Sequence, residues 1–178
     1  FQKSFEFFYK KEKIISNLGE INNSKYKNMK NSLSSTAAHS SVNIDDRNNI
    51  DLSGRRITRI LNIQFGKTKD GNLLDVTHSG YETIFGVHHK RQIYLSNKKN
   101  EIRGRDEILN VGNIGSIPKN AYIRFHLFPG IEPIKTRSGS VLLNHKNGFV
   151  WKMSTNVKNI SLEESVMVAP NGPKPCKE

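Results

Sequence analysis

The sequence predicts an all-β protein, an antiparallel β-sandwich built from about ten short strands. Three observations lead to this prediction. Apolar and polar residues alternate with a period of two along most of the chain, glycine-containing turn signals separate the alternating segments, and no segment carries the apolar stripe of an amphipathic helix. The chain has 178 residues, which is the length of one domain with a buried core.

The first strands follow directly from this alternation. Phe5, Phe7 and Tyr9 lie on one face of the first expected strand, and the segment "KIIS" is its expected antiparallel partner. Residues 22–35 are polar and lack an apolar stripe, so we expect a long loop with at most one helical turn.

A second group of strands begins with Leu61, Ile63 and Phe65, which share one face of the segment "RITRILNIQF". The chain is expected to return through "LLDVTH" after a type I′ turn at Asp70-Gly71, because both central residues of that turn need positive φ. The remaining strands are expected in "YETIFGVHH", "RQIYLS", "AYIRFHLF", "SVLLNHK", "FVWKMS" and "ISLEESVMV", with turns at Ser138-Gly139 and Asn147-Gly148.

The composition excludes some classes of protein and leaves others open. Apolar residues make up 35% and charged residues 25% of the chain, and no apolar run approaches the roughly 18 residues of a membrane-spanning helix. The net charge of +12 attracts polyanions such as acidic polysaccharide or nucleic acid. Compositional drift toward lysine explains the same excess equally well. The single cysteine, Cys176, allows neither an internal disulfide nor a cysteine-based zinc site.

None of the six histidines belongs to a short metal-binding motif. His88 and His89 are consecutive on a strand, so their side chains must point to opposite sides. His126 is expected on the polar face of its strand, and His145, beside a turn, is expected in solvent. Phosphate-binding loops and the nucleophile elbow of hydrolases are absent from the sequence. Aromatic residues alternate with basic ones, but any half-buried strand does the same, so we disfavour nucleic acid as a partner.

An ordered series of segments resembles the C-terminal β-sandwich of the heparinase II/III-like proteins. The resemblance runs from about Ser4 to Val168 and is carried by "SFEF", "IISNLG", "STAAHSSVNIDD", "HSGYETIFGVHHKRQIYLS", "IRGRDEIL", "IRFHLFP", "SVLLNHKNGFVWKM" and "ISLEESV". It implies that residues 1–178 form one supersandwich-like domain. We expect this domain to be truncated at both ends and to belong to a larger protein with an N-terminal α/α toroid.

The resemblance also implies a chemistry. Related polysaccharide lyases bind their substrate in the cleft between toroid and sandwich, and break uronic acid polymers by β-elimination. The proton next to the sugar carboxylate is removed, and the neighbouring glycosidic oxygen leaves. Such a site needs a base, an acid, and donors that neutralise the developing dianion. Acidic polysaccharide and the missing toroid are therefore the expected partners, in the periplasm or outside the cell.

Individual residues take roles from the same resemblance. His39 matches a histidine ligand of a structural zinc, so zinc is the expected cofactor, although Asn17 stands where the family has an aspartate ligand. An amide is a poorer zinc ligand than a carboxylate. Tyr26 and His39 are the expected catalytic residues. The positions expected to pack the sandwich, anchor its loops or line the cleft are Tyr81, His89, Arg91, Arg124 and His126.

The sequence thus supports one leading hypothesis and one rival. In the first, the chain is the sandwich part of a polysaccharide lyase, active only when joined to its toroid. In the second, it is a non-catalytic β-sandwich that binds acidic glycans or packs on a partner domain, and Asn17 favours this alternative.

Overall fold

A computed structural model describes residues 4–19, 28–51, 53, 57–112, 116–157 and 159–178 of the chain. Nearly all regular structure in these residues is antiparallel β-strand, which confirms the predicted fold class. Tyr26 lies outside the described residues. Among the residues described, no helix is both long enough and apolar enough to cross a membrane.

The described residues contain more strands than the roughly ten predicted, because several long alternating segments are divided into shorter strands. The described residues contain the strands β1 (Phe7–Tyr9), β2 (Glu12–Ser16), β3 (Val42–Ile44), β4 (Ile60–Lys67), β5 (Gly71–Tyr81), β6 (Val87–Ser96), β7 (Ile102–Asn110), β8 (Ala121–Ile123), β9 (His126–Leu127), β10 (Ile131–Lys135), β11 (Val141–His145), β12 (Val150–Met153), β13 (Glu164–Ala169) and β14 (Gly172–Lys177). The helical elements of the described residues include α1 (Lys30–Leu33), α2 (Glu82–Phe85) and a 3-10 turn at Thr36–Ala38. The helix α1 lies in the segment 22–35, for which the sequence allowed at most one helical turn; residues 22–27 of that segment are outside the described residues.

The strands belong to two compact units. Unit 1 is formed by Val42–Tyr122, and unit 2 by Gln2–Ser41 together with Ile123–Glu178. In unit 1, four antiparallel strands pair in the order β4-β5-β6-β7, and β3 pairs with β8. Unit 2 contains the sheets β1-β2-β9 and β10-β11-β12 and the hairpin β13-β14. Unit 2 therefore combines both ends of the chain.

The core of unit 2 forms on the aromatic face predicted for the first strand. Phe5, Phe7 and Tyr9 pack with the buried Ile14 and Leu143. The ring of Trp151 meets Phe7 edge to face at 4.9 Å and Tyr9 at 5.2 Å, which is the preferred geometry of aromatic pairs. The alternation of the first segment thus correctly identified its buried face.

The core of unit 1 is small and centres on Tyr81. This side chain is fully buried at 0% exposure, and it packs with Val42, Ile44, Phe85 and Val87. Its hydroxyl donates a hydrogen bond of 2.7 Å to the backbone oxygen of Val42, so the ring is packed and the buried hydroxyl has a hydrogen-bond partner.

The hairpin predicted at Asp70-Gly71 forms, but not with a type I′ turn. Neither residue has a positive φ. Instead, the Thr68 hydroxyl oxygen accepts hydrogen bonds from the backbone N–H groups of Asp70 and Gly71, at 3.3 and 3.1 Å. Glycine is needed at position 71 for space, because a Cβ there would lie 2.5 Å from the Leu95 oxygen and the Tyr94 ring.

We expect Leu143→Ala to destabilise unit 2 by about 2–5 kcal/mol, since Leu143 is 5% exposed and its loss leaves a cavity in the core. The matched control is Leu142→Ala, on the other face of the same strand and only half-buried, which should cost about 1 kcal/mol. Chemical denaturation measures both. Equal losses for the two variants would contradict this assignment of the buried face.

Candidate functional site

The loop Thr36–Ser41, here called the TAAHSS loop, carries His39 and is fixed by backbone hydrogen bonds. On one side, the Leu18 N–H donates to the Ala38 oxygen at 2.9 Å. The Ser40 N–H donates to the Asn17 side-chain oxygen at 3.0 Å. The small alanine side chains allow this close approach, so the loop is held along its length.

The other side of the TAAHSS loop is bound to residues at the start of β9. The Ser40 hydroxyl accepts from the His126 N–H at 2.9 Å, and the Ser41 oxygen accepts from the Arg124 N–H at 2.9 Å. The His126 ring adds a third contact, with Nε2 2.8 Å from the Ala37 oxygen. These three contacts together hold Arg124 and His126 next to the loop that carries His39.

His39 lies at the end of the 3-10 turn and is partly buried. Its Nε2 is 3.1 Å from the Leu33 oxygen at the end of α1. Because a carbonyl can only accept, this contact places the proton of the neutral ring on Nε2 and the lone pair on Nδ1. His39 is therefore oriented by its loop and has one nitrogen with the electronic character of a base or a metal ligand.

A charged cluster in unit 2 joins Arg124 and His126 to Glu178. Glu178 Oε1 lies 2.7 Å from Arg124, and Oε2 lies 2.9 Å from Nδ1 of the fully buried His126. The second contact is at ion-pair distance without the alignment of a good hydrogen bond. Acceptors thus lie near both ring nitrogens of His126.

The pKa of Glu178 lies below its usual value. Burial by itself raises the pKa, but the close contact with His126 and the charge and hydrogen bond of Arg124 outweigh burial. The carboxylate is consequently ionised in the folded protein at neutral pH.

A second polar cluster lies in unit 1, on the paired strands β5, β6 and β7. The Gly80 N–H donates to His78 Nδ1 at 3.1 Å, and His78 Nε2 lies 3.0 Å from His89 Nδ1. His89 Nε2 contacts Asp106 at 2.7 Å, and Asp106 also holds Arg91 through two hydrogen bonds of 2.7 and 3.1 Å. These contacts form one chain that is buried at both histidines.

The directions of the hydrogen bonds in this cluster follow from its first contact. His78 Nδ1 accepts from a backbone N–H, so Nε2 carries the proton and donates to His89. His89 then donates through its own Nε2 to Asp106. Burial tends to raise the pKa of Asp106, but the hydrogen bonds from His89 and Arg91 and the charge of Arg91 outweigh burial, so the pKa lies below its usual value. The result is a network whose charges are balanced by the Arg91 pair.

The structure brings the predicted site residues together in two separate sets. His39, Arg124 and His126 surround the TAAHSS loop in unit 2, and His89 and Arg91 share Asp106 in unit 1. Tyr81 lies in the core of unit 1, as described above.

Two histidine expectations were wrong, and three polar partners were missed. His145 is 6% exposed rather than in solvent, because its ring stacks on Phe149 at 4.4 Å. His126 is buried rather than on a polar face. The partners that the sequence did not reveal are His78, Asp106 and Glu178. Asp106 is detectable only from register, since it lies directly opposite Arg91 on the neighbouring strand.

The residues that the structure describes do not fit a zinc site. They contain no group of three or more histidine, cysteine, aspartate or glutamate side chains placed to hold a metal. Asn17 is engaged as a bridge, because its oxygen accepts from Ser40 and its amide donates to Glu6 at 3.1 Å. Here the amide acts as a structural hydrogen-bonding group.

Comparison with known proteins places this architecture in a family. The family model for the heparinase II/III-like C-terminal region matches residues 2–178. The chain belongs to the heparinase II/III-like family. Its fold also matches the crystal structure of heparan sulfate lyase HepC from Pedobacter heparinus, with a TM-score of 0.71 and 18% sequence identity. No curated protein sequence matches the chain.

The match to HepC covers 98% of this chain and 26% of the HepC chain. This heparinase II/III-like chain therefore spans about a quarter of the length of that lyase. At 18% identity, the likeness establishes the fold. It confirms the sandwich architecture predicted from the alternation and from the family resemblance.

We expect Glu178→Gln to destabilise unit 2 by about 1–3 kcal/mol at pH 7, because it removes the anion between Arg124 and His126. A depressed carboxylate pKa contributes stability that is complete above the unfolded-state pKa, about 4.3, and is lost as pH falls through the folded-state pKa. The difference between variant and wild type should therefore shrink with acidification. Denaturant titrations from neutral to acidic pH measure it.

The matched control is Glu164→Gln. Glu164 begins β13 of the hairpin that Glu178 follows, but it is exposed and pairs with Lys177 in solvent. That pair should contribute less than about 1 kcal/mol. A Glu178→Gln loss no larger than the control, or one that persists at the lowest pH, would show that the carboxylate charge is unimportant.

Proposed function

We propose that this chain is the sandwich part of a polysaccharide lyase that cleaves acidic, uronic acid-containing polysaccharide by β-elimination. The observation that carries the proposal is the match of the heparinase II/III-like C-terminal family model to residues 2–178. The net charge of +12 suits an anionic polymer. The expected partner is an N-terminal α/α toroid, and the expected location is the periplasm or the outside of the cell.

The chemistry requires a proton to leave the carbon next to the sugar carboxylate. A base accepts that proton, a double bond forms in the ring, the bond to the glycosidic oxygen breaks, and an acid protonates the departing oxygen. His39 is the candidate for one of the two proton-transfer roles, because its ring is oriented by the Leu33 oxygen and keeps a lone pair on Nδ1. Tyr26 remains the predicted second group, outside the described residues.

The cationic residues near the TAAHSS loop support this chemistry by positioning. Arg124 and His126 are joined to Glu178, so the charge of Arg124 is partly neutralised within the fold. They hold the backbone of the loop in place, and His39 with it. Direct contact of a sugar with Tyr81, His89, Arg91, Arg124 or His126 remains a prediction.

One observation favours the rival function, a sandwich that binds acidic glycans without cleaving them or packs on a partner domain. Asn17 stands where the family resemblance implies an aspartate, and its side chain bridges Glu6 and Ser40 through hydrogen bonds. With Asn17 at this position, the chain lacks one of the carboxylate ligands that the family resemblance implies for zinc.

The deciding experiment uses the chain within its longer protein, incubated with heparin, heparan sulfate and alginate. A lyase produces an unsaturated sugar that absorbs ultraviolet light. We expect His39→Ala to lower kcat by about 10²–10⁴-fold, the usual contribution of a proton-transfer group. The control is His88→Ala, whose ring is 18% exposed and pairs with Glu82. It should leave kcat unchanged.

Three other outcomes separate the alternatives. Absence of product from every uronate polymer, combined with salt-sensitive retention on heparin, would indicate the binding module. Absence of both would remove the lyase and the glycan-binding module, and would leave packing on a partner domain as the function. Tighter binding to DNA or RNA than to equally charged glycans, weakening steeply with salt, would instead indicate a nucleic-acid partner.

Zinc at His39 is tested by restoring the carboxylate. In Asn17→Asp, the new carboxylate lies beside the residue that follows His39, because position 17 contacts Ser40. If positions 17 and 39 share a metal, this variant should bind zinc about 10–100-fold more tightly than wild type in calorimetry. The control is Asn17→Ser. Equal zinc affinity in Asn17→Asp, Asn17→Ser and wild type would remove His39 as a zinc ligand.

A further inference from the structure

Two hairpin turns lie side by side at one end of the four-stranded sheet in unit 1. One joins β4 to β5, and the other joins β6 to β7. Because β5 and β6 pair antiparallel with Gly71 opposite Ser96, these two turns are neighbours. Residues 67–72 and 96–103, which form the turns and the adjoining strand ends, are here called the basic end. They include five basic and two acidic residues.

The two turns of the basic end are held together by hydrogen bonds. The Asn97 N–H donates to the Asp70 oxygen at 2.9 Å, and the Asn97 side-chain amide donates to the Thr68 oxygen at 3.3 Å. The Asn72 amide donates to the Asn97 side-chain oxygen at 3.1 Å, and the Tyr94 hydroxyl donates to the Asp70 oxygen at 2.9 Å. A surface that is fixed in advance loses less conformational freedom when a ligand binds.

The backbone that carries the lysines of the second turn is fixed as well. The Ser96 hydroxyl oxygen accepts from the N–H groups of Lys98 and Lys99, at 3.2 and 3.1 Å. The Glu101 N–H donates to the Lys99 oxygen at 2.8 Å. The lysine backbones are therefore held in place while their side chains are exposed to solvent.

The acidic residues of the basic end leave most of its positive charge in place. Asp70 pairs with Lys98, and Glu101 pairs with Arg103 at 2.8 Å. Because these ion pairs are exposed, they are weak and can open when another anion approaches.

Three further lysines of the basic end are exposed, namely Lys67, Lys69 and Lys99. Within the described part of the chain, no acidic side chain forms an ion pair with any of them. The basic end therefore presents ammonium groups from two adjacent turns, and such a concentration of one charge attracts polyanions.

The residue types of the basic end favour an acidic polysaccharide over a nucleic acid. Ammonium groups on flexible stems can pair with carboxylate and sulfate groups along an extended sugar chain. Neither of its two segments contains an aromatic residue. Proteins that bind single-stranded nucleic acid, in contrast, stack the bases on aromatic rings.

We propose that the basic end binds acidic polysaccharide and forms a glycan-binding surface separate from the TAAHSS loop. The basic end belongs to unit 1, and the TAAHSS loop belongs to unit 2. The choice of an acidic glycan as the ligand rests on the proposed function, but binding at the basic end does not require cleavage.

Calorimetry of the 178-residue chain tests the proposal, with heparin and alginate fragments of equal length as probes. Heparin carries sulfate and carboxylate groups, whereas alginate carries carboxylate groups alone. Binding should weaken as sodium chloride rises from about 0.05 M to about 0.5 M, because lysines that pair with a linear polyanion release its counterions.

The double variant Lys69→Gln/Lys99→Gln removes one lysine from each turn. It should weaken glycan binding by about tenfold and reduce the slope of log Kd against log salt concentration by about two. The matched control is Lys10→Gln/Lys11→Gln, which removes two exposed lysines from the turn between β1 and β2. The control makes the same change in net charge and should alter the affinity by less than about twofold.

Thermal unfolding verifies that both double variants fold, and Lys67→Gln provides a second test of the basic end. Equal weakening by the two double variants would show that overall charge alone attracts the glycan, and it would overturn the proposal. Tighter binding to single-stranded DNA of the same charge than to either glycan would also overturn it. Binding to heparin without binding to alginate would support the proposal and identify sulfate as the recognised group.

Assays of the longer protein separate binding at the basic end from cleavage. Unsaturated product from the wild type, together with an unchanged affinity in Lys69→Gln/Lys99→Gln, would retain the lyase and overturn binding at the basic end. Weaker binding in that variant, without any product from the wild type, would retain binding at the basic end and overturn the lyase.

Discussion

Ser40 is buried, and its polar groups connect three segments of unit 2 that are far apart in the sequence. Its N–H donates to Asn17, its oxygen accepts from the Phe5 N–H, and its hydroxyl donates to the Ser16 oxygen while it accepts from the His126 N–H. A buried polar group without a partner costs about 1–3 kcal/mol. The position of the TAAHSS loop, and with it the orientation of His39, depends on the simultaneous satisfaction of these groups.

The charged clusters of the two units also need partners for their buried groups, and an unpaired buried charge costs more free energy than an unpaired neutral group. Glu178 and Asp106 are each held by an arginine and a histidine, so neither carboxylate is buried without a cation. Isolated charges in a protein interior are too costly to persist. These clusters therefore position backbone segments and also limit which charges remain available to an anionic ligand. Residues whose charges are paired inside these clusters therefore support the fold around a site, and residues outside the clusters are left to contact a substrate.

The sequence predicts the fold class because apolar and polar residues alternate every second position, which is the pattern of an extended strand. Phe5, Phe7 and Tyr9 show this pattern clearly. It does not predict which faces are covered, since Ile63 and Phe65 alternate equally well and are exposed. Register decides contacts such as Arg91 with Asp106, and alternation does not specify register. The family resemblance identified the TAAHSS loop, but the buried environment of His126 depends on Glu178, which is 52 residues away.

The construction of unit 2 from both ends of the chain has a consequence for synthesis on the ribosome. Unit 1 is one continuous segment, so its strands can pair as soon as they have emerged. The apolar side chains of Phe5, Phe7 and Tyr9 cannot be buried until β11 and β12 have been synthesised, because these strands supply the other side of the core and lie more than a hundred residues later in the chain. Such non-local contacts form slowly and leave early strands open to wrong partners. The strands β1 and β2 are thus among the last elements of unit 2 to reach all their native neighbours.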